Sequence, residues 1–265
     1  MIKAICTDLD GTLIPYTADG ISESVLELAR ECKRKGIYFV PATGRPIASM
    51  RKQFAPVMEE CCYICDNGAT VFEGGHKLLG STAMPREAAI AIAEDFWNNT
   101  DGQGEINFSG VWESYLMCRP HRNNKSGYSM EERLHSNGSI CNVIRSFSDI
   151  KEDIIKVSVF LGNGVAAYAD RFIDKWSEYN CSVAGLYWID TGCATKGTGV
   201  KKFCEVKGLE LSEVAAFGDN YNDVPMLDIA GTSYIMESSA EELKKRYALR
   251  TDDPEGVMRR ILASC

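Results

Sequence analysis

The first third of the chain alternates short apolar runs with amphipathic segments. The run "IKAIC" is apolar at nearly every position, which is typical of a strand buried on both faces of a sheet. The next segment has apolar residues at helical spacing, with Ser22 as candidate N-cap and Gly36 as stop signal. The predicted elements are, in order, a strand at 2–6, a helix at 22–36, a strand with its loop at 37–45, a helix at 47–58 and a strand at 63–72. This alternation predicts a βαβαβ unit with a parallel sheet.

The alternation of predicted strands and helices changes at Pro85 and resumes after Thr195. Between them the spacing predicts a helix to about Trp97, antiparallel strands in "GEINFSG" and "ESYLMCRP", a polar stretch at 119–139, a strand at 154–161, a helix at 165–178 and short strands near "CSVAG" and "LYWID". The later elements are helices at 197–207, 222–229, 239–246 and 254–263, and strands at 214–218 and 232–236. We predict an α/β fold, with a Rossmann-like doubly wound parallel-sheet core at 1–82 and 188–265 and an inserted α+β domain at 83–187.

Composition narrows the class of protein. The 265 residues are 45% hydrophobic and 25% charged, as expected of a globular chain with a sizeable core. The net charge of -8 provides no basic field, so we expect neither a nucleic acid nor a membrane as partner. The eleven cysteines are an odd number without a repeating pattern, and no leader-like segment follows Met1. These features predict reduced thiols and a cytoplasmic location. No apolar run approaches the ~20 residues that a membrane span needs.

Polar clusters follow the predicted strands where each strand ends. They are Asp8 and Asp10 after "IKAIC", Thr43-Gly44-Arg45 after "IYFV", Lys196 after "LYWID", and the segment from Asp219 to Asp223 after "VAAFG". Ligands bind beyond the carboxyl ends of the strands in open parallel sheets, so we expect these clusters to lie at one edge. Each cluster alone is most simply a turn or a helix cap.

Together the clusters predict a site for a phosphoryl group. Carboxylates packed this closely have raised pKa values unless a cation neutralises them, and hard oxygen ligands suit Mg²⁺. With Mg²⁺ present, Asp8 stays ionised, while Lys196, Thr43 and the amides near Gly44 hold the anionic oxygens of a phosphoryl group. The sequence therefore predicts phosphoryl transfer.

Four motifs also carry a family resemblance. The segments "DLDGTL", "ATGRP", "TKGTGV" and "FGDNYNDVPML", in this order, resemble the four motifs of the haloacid dehalogenase-like hydrolase superfamily. The insertion resembles the type IIB cap of the Cof-type sugar-phosphate phosphatases, and the resemblance covers nearly the whole chain. It implies hydrolysis of a small phosphorylated metabolite, such as a sugar phosphate.

The resemblance implies a role for each motif residue. Asp8 is the expected nucleophile, which forms an aspartyl-phosphate, and Asp10 is the expected general acid and base. Gly11 supplies the conformational freedom for the turn between strand and loop. The resemblance further implies Mg²⁺ held by Asp8, the backbone carbonyl of Asp10 and Asp219, with Asp223 holding metal-bound water, and phosphate held by Thr43, Gly44, Lys196 and Asn222.

Several alternatives stay open at this point. Asn67 in "CDNGA" either approaches the substrate or only makes a turn, and "RPHRNNKSGY" (119–128) either meets the substrate or is an exposed loop. The family's usual Met-Gly-Asn-Ala run is "MESS" at 236–239, which affects how that loop packs. A phosphomutase shares the motifs and the cap, and a silent sugar-phosphate sensor shares the fold. Such a sensor usually lacks the nucleophile or the lysine, and both are present here.

Overall fold

The structure is a computed structural model that describes residues 1–18, 20–119 and 125–264. It divides into two compact units, Met1–Gly80 with Ala194–Cys265, and Ser81–Cys193. The second boundary differs from the one expected at 187/188, because the strand Trp188–Gly192 pairs with Lys156–Phe160 of the second unit. Its hydrogen bonds therefore place this strand in the inserted unit.

The regular elements of the described residues are as follows. The strands are β1 (Ala4–Thr7), β2 (Tyr38–Pro41), β3 (Cys62–Cys65), β4 (Thr70–Glu73), β5 (Lys77–Ser81), β6 (Glu105–Ser109), β7 (Glu113–Met117), β8 (Ile140–Val143), β9 (Lys156–Phe160), β10 (Ser182–Val183), β11 (Trp188–Gly192), β12 (Val214–Gly218), β13 (Thr232–Met236) and β14 (Leu249–Thr251). The helices are α1 (Glu23–Arg34), α2 (Ile47–Gln53), α3 (Arg86–Asn98), α4 (Met130–Ser136), α5 (Ala169–Lys175), α6 (Lys196–Lys207), α7 (Val224–Leu227), α8 (Glu241–Arg246) and α9 (Pro254–Ala263).

The first unit is built on a parallel sheet, as predicted. Its strand order is β14-β13-β12-β1-β2, and every adjacent pair is parallel. All four residues of β1 are buried, which explains why the strand has an unbroken apolar run. Alternate residues such as Cys6 and Ala216 pack with Val200 and Phe203 of α6 on one face. The sequence order reverses between β1 and β12, and the carboxyl ends of these two strands mark the crevice where such sheets bind ligands.

The predicted third strand at 63–72 is wrong, because this segment is a hairpin. β3 and β4 pair antiparallel, and three consecutive residues with positive φ join them: Asp66 (51°), Asn67 (54°) and Gly68 (95°). β3 lies alongside β2 through isolated parallel bridges. The left-handed backbone reverses the chain where an extended apolar pattern predicted continuation.

Smaller differences follow local breaks in the chain. The helix predicted at 47–58 ends at Gln53 and continues as a 3-10 helix, Ala55–Glu60, which has a proline in its first turn. The predictions missed the short strands β5, β8 and β14 and the helix α4, which lies in the stretch expected to be polar at 119–139. The departure at 236–239 forms a tight turn in which the Ser239 amide donates to the Met236 carbonyl at 3.1 Å.

The second unit contains a six-stranded sheet with the order β10-β11-β9-β6-β7-β8, of which only the β7–β8 pair is parallel. Apolar residues on one face pack with α3 and α5, where the rings of Phe96 and Phe172 lie 4.7 Å apart, edge to face. On the other face Leu116 and Phe160 pack with Met130 of α4. This arrangement is the α+β organisation expected of the insertion.

Arg119 stabilises the second unit rather than lying free in a loop. Its guanidinium lies 3.7 Å above the Trp97 ring, and its Nε donates to the Gly104 carbonyl at 2.8 Å. Residues 120–124 of the candidate substrate stretch lie outside the described residues, and Tyr128 at its end packs against Phe160 in the second unit.

The cysteines in and next to β3 lie in the interior of the first unit. Cys61, Cys62 and Cys65 are buried, and burial raises the pKa of the Cys62 thiol to about 11. This thiol is therefore neutral at physiological pH.

Throughout the part of the chain that the structure describes, no helix has the length and apolar character needed to cross a membrane.

The Asp66–Gly68 turn gives a stability prediction. A Cβ on Gly68 would overlap the backbone carbonyl of Thr195, in addition to the strain of its φ of 95°. Gly68→Ala should therefore lower the free energy of unfolding by about 3 kcal/mol, measured by urea denaturation. Gly208→Ala is the matched control, because Gly208 has a φ of 65° but nothing within 4 Å of its added Cβ. It should cost only about 1 kcal/mol, and equal losses would contradict the close approach.

Candidate active site

Asp8 lies directly beyond the end of β1, at the centre of the parallel sheet. Its backbone amide donates to the Phe217 carbonyl of β12 at 2.9 Å, which extends the pairing of the two strands by one residue. Its side chain is only 8% exposed. The sheet thus holds a carboxylate, largely out of water, at the predicted edge.

Lys196 reaches the same edge by a route that the sequence pattern did not indicate. It does not follow a strand of the core, because β11 belongs to the second unit; instead it is the first residue of α6. Thr195 caps this helix by accepting from the Thr198 amide at 3.2 Å. A Cβ on Gly197 would overlap the carbonyl of Pro225, and one on Gly199 would lie 2.5 Å from the Ile64 side chain. The glycines therefore let the helix start pack tightly, and Lys196 is fully buried.

The Lys196 ammonium joins two carboxylates from different parts of the chain. Its Nζ donates to Asp8 Oδ1 and, at 2.5 Å, to Asp223 Oδ1. The other oxygen of Asp223 accepts from the backbone amides of Asp219 at 2.9 Å and Asn220 at 3.0 Å. Asp223 therefore fixes both the ammonium and the loop that carries Asp219.

The single positive charge of Lys196 does not balance the negative charges of Asp8, Asp219 and Asp223. Burial raises the pKa of Asp8 well above its ordinary value, against the opposing effect of Lys196. Burial and the neighbouring Asp223 carboxylate likewise raise the pKa of Asp219. Burial alone would lower the pKa of Lys196, but Asp223 and Asp8 outweigh it and raise that pKa. Lys196 therefore stays protonated, and the neighbouring carboxylates can still accept a second positive charge.

The carboxylates fit a divalent metal ion. Asp8, Asp219 and Asp223 each offer an oxygen, and these oxygens lie within 4.8 Å of one another. Asp8 Oδ2 is buried and accepts no hydrogen bond from the described residues, which is costly for a carboxylate oxygen without a cation. Among the described residues Asp223 accepts three hydrogen bonds, whereas Asp219 accepts two and Asp8 accepts one, so Asp8 and Asp219 have more remaining capacity. Hard oxygen donors of this kind suit Mg²⁺.

Two residues of the loop after β1 orient Asp219. The Tyr16 hydroxyl donates to Asp219 Oδ2 at 2.9 Å, and the Thr12 hydroxyl donates to Oδ1 at 3.3 Å. Gly11 lies beneath them with a φ of 93°, as predicted for the turn, and a Cβ there would overlap Asp219 Oδ2. Thr12 belongs to the "DLDGTL" motif, whereas no pattern in the sequence pointed to Tyr16.

Asp10 is held by a residue to which the sequence predictions gave no role. Arg45 binds it in a bidentate pair, with Nε donating to Asp10 Oδ2 at 2.8 Å and Nη2 donating to Oδ1. Both side chains are partly exposed, at 40% for Asp10 and 34% for Arg45. The signal was present in "ATGRP", where Arg45 directly follows Thr43 and Gly44.

The remaining predicted residues form a second, connected group. Thr43 is buried, and its Oγ1 accepts from the Arg45 amide at 3.1 Å, which leaves the hydroxyl hydrogen for another acceptor. Asn222 donates through Nδ2 to Asn67 Oδ1 at 3.1 Å, and the same Asn67 side chain lies against Gly44. All eight predicted site residues thus lie in the first unit, in the Asp8 and Asn67 groups or in the Asp10–Arg45 pair.

The buried ammonium predicts a pH-dependent stability change. In metal-free buffer, Lys196→Met should lower the free energy of unfolding by about 3–5 kcal/mol at pH 8, because carboxylates remain buried without their counter-charge. A raised folded-state pKa means that protonated Asp8 stabilises the fold at low pH and that this stabilisation is lost as the pH rises through that pKa. The loss should therefore be smaller at pH 5, measured by urea denaturation with EDTA.

Lys202→Met is the control for this experiment. Lys202 lies in the same helix, but it is exposed and pairs only with Glu205 in the described structure. Its replacement should change stability by less than about 0.5 kcal/mol at both pH values. A loss for Lys196→Met that does not depend on pH would contradict the charge-based explanation.

Comparison with known proteins is consistent with this geometry. The chain is 26% identical over 254 residues to an HMP-PP phosphatase of Serratia proteamaculans, covering 92% of this chain and 87% of that one. It is 24% identical over 276 residues to a 5-amino-6-(5-phospho-D-ribitylamino)uracil phosphatase of Bacillus subtilis, covering 97% and 96%. The solved structure of BT4131, a sugar phosphatase of haloacid dehalogenase subclass IIB, shares the fold, with a TM-score of 0.75, 21% identity and 98% coverage of both chains.

The family model of haloacid dehalogenase-like hydrolases matches residues 5–260. This range contains every motif, the whole second unit and all of the first unit except its two ends. With its Asp8–Lys196–Asp223 network at the end of the central strands, the chain belongs to the haloacid dehalogenase-like hydrolases.

Proposed function

We propose that this protein is a Mg²⁺-dependent phosphatase that hydrolyses a small phosphorylated metabolite through an aspartyl-phosphate intermediate. The observation that carries the proposal is the state of Asp8, which is buried and held by Lys196 through one oxygen, while the other oxygen has no hydrogen-bond partner among the described residues. A carboxylate so oriented and desolvated is a competent nucleophile toward phosphorus. Family membership and relatives named as phosphatases support the same conclusion.

The first step transfers the phosphoryl group to the protein. A carboxylate oxygen of Asp8 forms a bond to phosphorus as the bond from phosphorus to the leaving oxygen breaks, and Asp10 gives its proton to that oxygen. Lys196 balances the charge of the nucleophile, and Thr43, the Gly44 amide and Asn222 hold the phosphoryl oxygens. Catalysis of this kind rests mainly on positioning and electrostatic stabilisation.

The second step restores the protein. Asp10, now a carboxylate, takes a proton from water, the water oxygen attacks phosphorus, and the Asp8–phosphorus bond breaks to release inorganic phosphate. Arg45 donates to both oxygens of Asp10, and a carboxyl group that carries a proton accepts such hydrogen bonds more weakly than a carboxylate does, so the pair weakens whenever Asp10 holds the proton.

Mg²⁺ would be held by Asp8, Asp219 and the backbone carbonyl of Asp10, and when bound it supplies charge neutralisation and orientation. Asp223 contributes by holding Lys196 and the amides of Asp219 and Asn220 in place. Tyr16 and Thr12 orient Asp219. These residues position the groups that touch the substrate.

The proposed substrate is a small phosphate monoester, such as a sugar phosphate. Support comes from the named activities of the relatives, one of which acts on a phosphoribityl compound, and from the fold shared with a sugar phosphatase. A panel of phosphorylated metabolites with Mg²⁺ tests this, with both inorganic phosphate and organic products measured. Phosphate release supports a phosphatase, whereas an isomeric phosphosugar without phosphate release would indicate a mutase, and neither product would indicate a sensor.

Asp8→Asn should reduce phosphate release from p-nitrophenyl phosphate by at least about 10³-fold, because the near-isosteric amide lacks the attacking charge. Asp228→Asn is the matched control, since Asp228 lies on the surface and pairs with Arg246. It should keep full activity. Residual activity of Asp8→Asn within a few-fold of the parent would rule out the aspartyl-phosphate.

Removal of divalent metal should stop the reaction. Excess EDTA leaves the Asp8 and Asp219 carboxylates without the cation that neutralises them, so the rate should fall to background. Added Mg²⁺ should restore it, and Ca²⁺, which prefers a larger and more flexible oxygen shell, should restore it poorly. Full activity in excess EDTA would contradict the proposed metal site.

A further inference from the structure

The turn between β3 and β4 has a costly backbone conformation. Asp66, Asn67 and Gly68 all have positive φ, at 51°, 54° and 95°. Left-handed conformations are unfavourable for residues with a Cβ, even though asparagine and aspartate tolerate them better than others. Such strain persists only where the surrounding contacts determine it. The contacts that hold this turn in place therefore indicate its role in the protein.

Backbone hydrogen bonds join the turn to the loop after β2. The Asn67 amide donates to the Thr43 carbonyl at 2.9 Å, and the Asp66 amide donates to the Arg45 carbonyl at 3.1 Å. The side chain of Asn67 also supports Gly44, because a Cβ on Gly44 would lie 3.2 Å from Asn67 Oδ1. The turn thus fixes the loop that carries Thr43 and the Gly44 amide.

The same turn contacts two other segments of the site. Asn67 Oδ1 accepts from Asn222 Nδ2 at 3.1 Å. Gly68 lies so close to the carbonyl of Thr195, the cap of α6, that no side chain fits between them. Three residues in sequence therefore touch the segments that supply Thr43, Asn222 and Lys196.

We propose that Asn67 is a positioning residue for the phosphate-binding groups, and that it acts through Asn222 and the Gly44 loop. The amide of Asn222 carries two hydrogens, and Asn67 accepts one of them, which orients the other for a phosphoryl oxygen. This inference rests on the proposed phosphoryl-transfer function and names a residue outside the four motifs. The sequence left open whether Asn67 approaches the substrate or only makes a turn. In this proposal Asn67 makes the turn, and its side chain also positions the phosphate-binding groups.

The test separates the side chain from the turn. Asn67→Gly keeps the left-handed backbone, which glycine adopts without strain, and removes only the amide. Its melting temperature should equal or exceed that of the parent. Its affinity for inorganic phosphate in the presence of Mg²⁺, measured by calorimetry, should fall by about 10-fold, with a matching rise in KM for p-nitrophenyl phosphate.

Two further variants establish the route. Asn222→Ala should weaken phosphate binding to a similar degree, and the double variant Asn67→Gly with Asn222→Ala should lose less affinity than the product of the two single effects, because the two variants share the Asn67–Asn222 hydrogen bond. Asn180→Gly is the control, since Asn180 has a φ of 48° but lies in the second unit. It should bind inorganic phosphate as the parent does.

Each outcome decides the proposal. Parent-like phosphate affinity in Asn67→Gly would overturn it, and so would effects of the two single variants that multiply in the double one. Failure of Asn67→Gly to fold would show a structural role only, and would also overturn it. If the parent protein binds phosphate but releases none from the metabolite panel, the proposed function fails while the binding comparison still tests Asn67.

Discussion

The buried ammonium of Lys196, placed between Asp8 and Asp223, is the interaction on which the rest of the site depends. A charge this far from water is tolerated only when partners with good geometry surround it. Those partners come from the end of β1 and from the segment after β12, which are far apart in the chain and adjacent in the sheet. The parallel pairing of these strands is therefore a condition for the chemistry as well as a feature of the fold.

Burying that ammonium demands space at the start of α6, and the chain provides it with glycine. Gly197 and Gly199 allow the helix to approach α7 and β3, and Gly68 allows the strained turn to pack beneath the helix cap. These glycines are concentrated around Lys196, where each missing side chain shortens a distance between backbones. The glycines of the "TKGTGV" motif thus serve packing, and they surround the lysine to which we assign a role in the proposed function.

Much of the arrangement could be predicted from the sequence, for a physical reason. Asp8 and Asp219 follow unbroken apolar strands, and parallel strands bring their carboxyl ends to one edge whatever the loops do. Lys196 lies beside Asp8, next to the helix predicted at 197–207, yet the place of the preceding strand in the other unit was not predictable, because "LYWID" has the same apolar pattern in either sheet. The Arg45–Asp10 pair and the Tyr16 contact also escaped prediction, since long side chains that meet across loops leave no periodic signal.

Asp223 connects two parts of the site through its two carboxylate oxygens. One of its oxygens holds the cation that faces the nucleophile, and the other holds the backbone that carries Asp219. Lys196, which we propose to bind phosphate, and Asp219, which we propose to bind metal, are therefore held by the same side chain, so a displacement of one is transmitted to the other. In the proposed mechanism a single residue that does not contact the substrate sets the relative position of both groups.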